Sequence, residues 1–274
     1  MKGSLNSEES VDYKTISFEH KERLGILYLS RPRVLNALNN EMRQELIHFM
    51  RQAAKDEDIR VLVITGKGRA FCAGADLHEF KKSYEIYRQE GKMNGFGHTN
   101  LPKAFIDFPK PIIAAINGPA IGFGFTVTLT CDMRIASERA KFSCAFLRVG
   151  VTPEFGSSYF LPRLIGYGKA AELAFTARTI DAQEAAQIGL VDRIVKPESL
   201  MSECKKIARD ISQMPGEAVR MTKQILRHGY HSTPEQVLEY ESLIFRHCAG
   251  TEEHYEAVCK AIEKKGNSPL NRKI

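Results

Sequence analysis

The 274-residue sequence predicts an α/β protein, and three observations carry that prediction. Two apolar runs of strand length, 60–66 (RVLVITG) and 112–116 (IIAAI), each end in a turn of small residues and lead into a helical pattern. Near the N-terminus, 13–20 (YKTISFEH) alternates with period two, and 24–30 (LGILYLS) follows across the charged turn Lys21-Glu22-Arg23. From residue 198 onward the strand signals stop and charged helical patterns fill 198–213, 216–228, 234–248 and 252–264.

The remaining elements follow in order. Residues 1–12 carry no periodic signal and read as a flexible N-terminus. Pro32 closes the second strand, because proline cannot donate to a sheet ladder. Asn39 or Asn40 caps a helix over 41–55, whose apolar face holds Met42, Leu46, Phe49, Met50 and Ala53. A helix opens at Leu77, and the polar, glycine-punctuated stretch 81–103 reads as a mobile segment or lid. Short strands at 134–136 and 141–143 precede helices near 156–164, 169–177 and 182–188, and a last strand spans 190–195. The expected division is a flexible 1–12, a core over 13–197 that holds the active site, and a helical region over 198–274.

Composition narrows the function classes. At 43% hydrophobic and 26% charged, the chain can bury a large interior yet has no apolar run of the ~20 residues a membrane span needs. The polar N-terminus lacks a signal-peptide pattern, and the last residues do not match a peroxisomal signal, so a cytoplasmic location is expected. Six cysteines without paired spacing indicate neither a disulfide framework nor a metal site. A net charge of +6 suits a small anionic ligand, and no nucleic-acid motif accompanies it.

The stretch 111–132 (PIIAAINGPAIGFGFTVTLTCD) reads as strand, tight turn and helix N-terminus. A helix N-terminus presents unpaired N–H groups, and glycine lets a ligand approach them closely. The turn after 60–66 contains Ala73, Gly74 and Ala75 just before the next helix. Two such turns can aim two backbone N–H groups at one carbonyl oxygen, which is the requirement of an oxyanion hole.

Six stretches in order, RPRVLNALN (31–39), GRAFCAGADL (68–77), KPIIAAINGPAIGFGF (110–125), CDMRIASERAKFS (131–143), LPRLIG (161–166) and AAQIGLVDRIV (185–195), resemble the enoyl-CoA hydratase/isomerase, or crotonase, superfamily. The resemblance implies a spiral of beta-beta-alpha units, a C-terminal helical region used in trimerisation, and a homotrimer or hexamer. It implies an acyl-CoA thioester substrate, with coenzyme A as part of that substrate and no separate cofactor. Carried over, the oxyanion donors are the N–H groups of Ala75 and Phe123, although family members usually have glycine at the latter position. Ala37, Leu38, Ala73, Gly74, Asp76 and Leu77 match the coenzyme A path, and Arg33 is a phosphate partner.

Two glutamates serve hydration in the best-known branch, and here Thr126 and Phe146 stand at the matching positions. Glu154, within VTPEFGSS (151–158), instead resembles the single base of the 3-enoyl-CoA to trans-2-enoyl-CoA isomerases. The expected catalytic set is therefore Glu154, Ala75 and Phe123. The alternatives are hydration with Glu154 activating water, a ring-rearranging acyl-CoA isomerase, and a non-catalytic acyl-CoA binding protein. His78 and His98 read as polar surface residues, Asp132 and Arg134 as a structural pair, and Ser157 and Ser158 as helix-start or pocket-wall residues.

Overall fold

A computed structural model describes residues 12–91 and 99–266. Residues 1–11, within the expected flexible N-terminus, and 92–98, which include His98 and part of the expected lid, lie outside the described residues. Strands β1 (Ile16–Lys21) and β2 (Leu24–Leu29) form an antiparallel hairpin. Its two turn residues, Glu22 and Arg23, both take positive φ, as the tight hairpin twist demands. The strand β3 (Val61–Gly66) joins β2 in parallel, followed by β4 (Ile112–Ile116), β6 (Met133–Ser137) and β9 (Arg193–Val195). A smaller sheet contains β5 (Ala120–Ile121), β7 (Lys141–Ser143) and β8 (Thr179–Asp181).

The two sheets are filled alternately. After β4 the chain contributes β5 to the small sheet and then forms α4 (Phe123–Leu129); after β6 it contributes β7. After β3 the residue Cys72 bridges Ala120 in the same sense, before α2 (Leu77–Glu90) begins. That repetition is the expected beta-beta-alpha spiral. The helix α1 (Asn40–Lys55) is capped by the Asn39 side chain, which accepts from the Met42 N–H at 2.9 Å. Its apolar face buries Met42, Leu46, Phe49 and Met50 in the main core.

Three features add to the sequence expectation. Within the stretch expected as a mobile segment or lid, residues 81–90 continue α2 and Asn100–Ile106 form a further helix, α3. The short strands β5 and β8 carry too few residues to show a period. The helices α5 (Ser157–Ile165), α6 (Tyr167–Thr176) and α7 (Ala182–Gln187) precede α8 (Leu200–Ser212), and α8 does not stand apart from the core. Its Leu200, Cys204 and Ala208 cover the sheet face formed by Leu24, Ile26, Val61, Val63, Ile113 and Ile135. A buried face of this size requires a covering layer, and α8 supplies it.

Asp132 and Arg134 do not pair with each other. The Arg134 backbone N–H donates to Asp192 Oδ2 at 2.6 Å, while its guanidinium donates to the Leu190 and Cys131 carbonyls. Asp132 accepts from Lys223 Nζ at 2.7 Å and Arg227 at 3.3 Å, and so ties α9 (Gly216–Gly229) to the loop after α4. Both residues are structural, but each is held by its own distant partners.

Asn36 is fully buried and left-handed, with φ of 58°. Its amide donates to the Lys67, Ala70 and Phe71 carbonyls at 2.9–3.2 Å and accepts from Arg31 N–H at 2.9 Å. It thereby joins the 31–38 turn to the turn after β3. Asn36→Gly keeps the backbone unstrained but orphans these groups, and is expected to lower stability by about 2–3 kcal/mol in urea unfolding.

Candidate active site

The site begins where two turns touch backbone to backbone. Cys72 N–H donates to the Pro119 carbonyl at 3.0 Å, and Ile121 N–H returns to the Cys72 carbonyl at 2.9 Å. A Cβ added at Gly124 would lie 2.2 Å from the Cys72 carbonyl oxygen, so only glycine permits this approach. Gly74 and Gly122 face each other across the same seam; a Cβ on Gly122 would reach within 3.6 Å of Gly74 Cα. Ala75 and Phe123 each follow one of these glycines.

Both expected donors have the required freedom. Leu38 N–H donates to the Gly74 carbonyl at 2.7 Å, and Asp76 N–H donates to the Leu38 carbonyl at 2.9 Å. This parallel bridge engages the residues flanking Ala75 and turns the Ala75 N–H to the opposite side. The Phe123 N–H begins α4 and has no acceptor within that helix. The positive φ of this turn, 53°, falls on Gly122, so the phenylalanine takes an ordinary helical position. Its ring is buried.

Glu154 lies just before α5 and the left-handed pair Phe155 and Gly156, with φ of 63° and 71°. For a bulky residue such a backbone costs about 1–3 kcal/mol. Phe155 is buried edge-on between Phe123, at 5.4 Å between ring centroids, and Phe105, at 5.7 Å. Edge-to-face pairs contribute about 0.5–1.5 kcal/mol each beyond the area they bury, enough to offset that strain. Ser157, the first residue of α5, holds a buried hydroxyl without a hydrogen-bond partner among the described residues.

Burial raises the Glu154 carboxyl above its ordinary pKa, and the Arg43 guanidinium pulls it partly back. Glu154 is nevertheless exposed at the surface, so water screens the carboxyl and the rise is smaller than enclosure would produce. Burial likewise lowers the pKa of Arg43, opposed by Glu154 and by Glu79 on α2. Glu79 is fixed there by accepting from the Asn40 N–H at 2.7 Å. Arg43 and Glu79 were not anticipated as site residues. The available signal was a charged residue at position 43 on the apolar face of α1.

The other expected positions fall around the first turn. Ala37 and Leu38 are buried, and Leu38 places its side chain in the core and both backbone polar groups in the bridge. Ala73 and Ala75 are half-buried, Gly74 is buried, Leu77 is exposed, and Arg33 stands exposed in a 3-10 turn. Asp76 accepts from Arg31 at 3.1 Å and from the His78 N–H at 3.2 Å, so it caps α2 and fixes the turn. His78 is exposed. Thr126 is buried with its hydroxyl on the Phe123 carbonyl, and Phe146 is buried; neither supplies an acid or base. Burial pushes the Cys72 thiol up to about 12, which keeps it protonated beside the seam. A separate cleft lined by Arg60, Lys110, Glu217, Arg220 and Glu253 shares no residue with these turns, and its arginines are paired with its glutamates.

The sequence profile of enoyl-CoA hydratase/isomerase matches residues 19–268. The chain belongs to the enoyl-CoA hydratase/isomerase family. It is 35% identical over 256 residues to a short-chain-enoyl-CoA hydratase of Clostridium acetobutylicum, covering 93% of this chain and 97% of that one. It is 36% identical over 254 residues to a crotonyl-CoA hydratase of Syntrophomonas wolfei, covering 92% and 96%. Among solved structures, an enoyl-CoA hydratase from Bacillus anthracis superposes with a TM-score of 0.84 at 33% identity, covering 92% of this chain and 97% of that chain. These matches establish a crotonase-type fold and an enzyme of this superfamily.

A carboxyl whose pKa is raised on folding disfavours the folded state once ionised, so its penalty is present above the raised value and absent below the unfolded value. Glu154→Gln is therefore expected to raise Tm slightly at pH 7, with the gain vanishing below about pH 4. Thermal melts across that range check the sign.

Proposed function

We propose that this chain is an acyl-CoA isomerase that moves a 3-enoyl-CoA double bond to the trans-2 position. One observation supports the reading: Glu154 directly precedes Phe155, whose ring packs on Phe123 at the start of α4, while Thr126 and Phe146 offer no acid–base group. The thioester oxygen accepts from the Ala75 and Phe123 N–H groups, which makes the C2 proton acidic. Glu154 removes that proton, and the C–H electron pair moves into the dienolate held by the two donors. The protonated Glu154 then returns a proton to C4, and the electrons settle as the conjugated C2–C3 double bond. Atoms and electrons balance within the substrate and one carboxyl, so the proposed reaction uses no further cofactor. Arg33, exposed beside the turn, is assigned to a coenzyme A phosphate.

Hydration is the second reading, favoured by the names of the relatives. There Glu154 activates a water that adds to C3, and Glu154 again handles the C2 proton. Purified protein with 3-hexenoyl-CoA is expected to give a conjugated product of unchanged mass. Addition of water to trans-2-hexenoyl-CoA as the main activity would overturn the isomerase reading. Glu154→Gln should lower kcat by about 10²- to 10⁴-fold with little change in KM. Because the base must be ionised, kcat should fall with acid below the raised Glu154 pKa.

The assembly is proposed to be a homotrimer or hexamer. On α10 (Pro234–Ala249) and α11 (Glu252–Gly266), Leu238, Leu243, Phe245, Tyr255 and Ile262 are exposed, a larger apolar surface than a monomer commonly leaves in water. Light scattering should report three or six copies. Phe245→Asp is expected to shift the mass toward the monomer.

A further inference from the structure

The base and one oxyanion donor are connected through a single aromatic contact. Glu154 is followed by Phe155, and the Phe155 ring meets the Phe123 ring at 5.4 Å with an interplanar angle of 73°. On its other side the Phe155 ring meets Phe105 of α3 at 5.7 Å and 67°. The ring is 4% exposed, so it has no alternative position in solvent. Its backbone is left-handed, with φ of 63°, where glycine would sit without strain and an aromatic residue does not. The chain therefore maintains a disfavoured backbone immediately after the base, and the side chain responsible is wedged against the residue that supplies a donor.

We infer that Phe155 is a positioning residue: the Phe105–Phe155–Phe123 stack holds the Glu154 carboxyl at a set distance from the oxyanion hole. This inference rests on the isomerase reading and deepens it. The two turns that form the hole are locked by backbone bonds, whereas Glu154 comes from a different part of the chain and needs its own tether to them. Phe155 is that tether. Removing the ring leaves the donors intact, lets Glu154 swing, and opens its already exposed carboxyl further to water. Arg43 on α1 and Glu79 on α2 are the charged groups that act on this site, and neither is altered by the change.

Phe155→Gly suits the left-handed backbone and deletes the ring. With 3-hexenoyl-CoA, kcat per folded protein is expected to fall by about 10- to 100-fold, with KM within about twofold of wild type. The acid-side midpoint of the kcat profile should move down toward the ordinary carboxyl range, a shift that partial unfolding would not cause. Phe105→Leu, which loosens the stack from its far side, should move both quantities the same way by a smaller amount, and it decides the matter if Phe155→Gly fails to fold. A wild-type kcat in both variants, or a lowered kcat with an unmoved midpoint, would overturn the positioning role. Absence of isomerisation by the wild-type protein would overturn the isomerase reading itself, and this assignment with it.

Discussion

Everything that makes this fold useful depends on two stretches of backbone approaching closer than any side chain allows. The Cys72 carbonyl lies where a Cβ of Gly124 would be, and Gly74 faces Gly122 across the same seam. Hydrogen bonds between Cys72 and the Pro119 and Ile121 backbone hold the seam shut. Because the chain enters each turn from a strand of the central parallel sheet, the two turns emerge at neighbouring strand ends, β3 and β4. Their next residues, Ala75 and Phe123, direct N–H groups outward with no competing acceptor in the bridge or the helix. On the proposed oxyanion reading, these N–H groups are organised before any substrate arrives, the condition under which such dipoles are most effective.

Around that seam the other interactions act as braces. Asn36 ties the preceding turn to the Lys67–Phe71 carbonyls, and Asp76 couples Arg31 to the start of α2. At the far end of α4, Lys223 and Arg227 hold Asp132 and so keep the helix that begins with Phe123 in register with the C-terminal helices. These groups are charged or polar and largely buried, and each is satisfied. An unsatisfied partner at any of them would loosen a donor turn as well as the fold.

Family membership does not by itself fix the chemistry of a site. Relatives of this chain carry hydratase names. Thr126 has its hydroxyl taken up by its own helix, and Phe146 is core. The remaining carboxyl, Glu154, is set beside a buried guanidinium whose charge limits how far burial can raise its pKa. Environment more than residue type decides whether that carboxyl acts as a base.

Much of this was legible in the sequence because it is written in local patterns. Strand runs, the small-residue turns and the Asn39 cap depend on residue type and spacing alone, whereas the roles of positions 126, 146 and 154 were read from the resemblance to the family. The short strands β5 and β8 were not legible, since their pairing is set by distant partners and not by a period of their own. Asp132 and Arg134 looked like a pair because they are near in sequence, but the tertiary fold brings each a partner about sixty or ninety residues away. Arg43, Glu79 and Phe155 became site residues only when α1, α2 and the loop before α5 converged. The sequence by itself determined where the strands, helices and small-residue turns lie, because those follow from residue type and spacing. Tertiary structure alone decided what surrounds Glu154, because a carboxyl's pKa and aim are set by neighbours that the chain brings from far away.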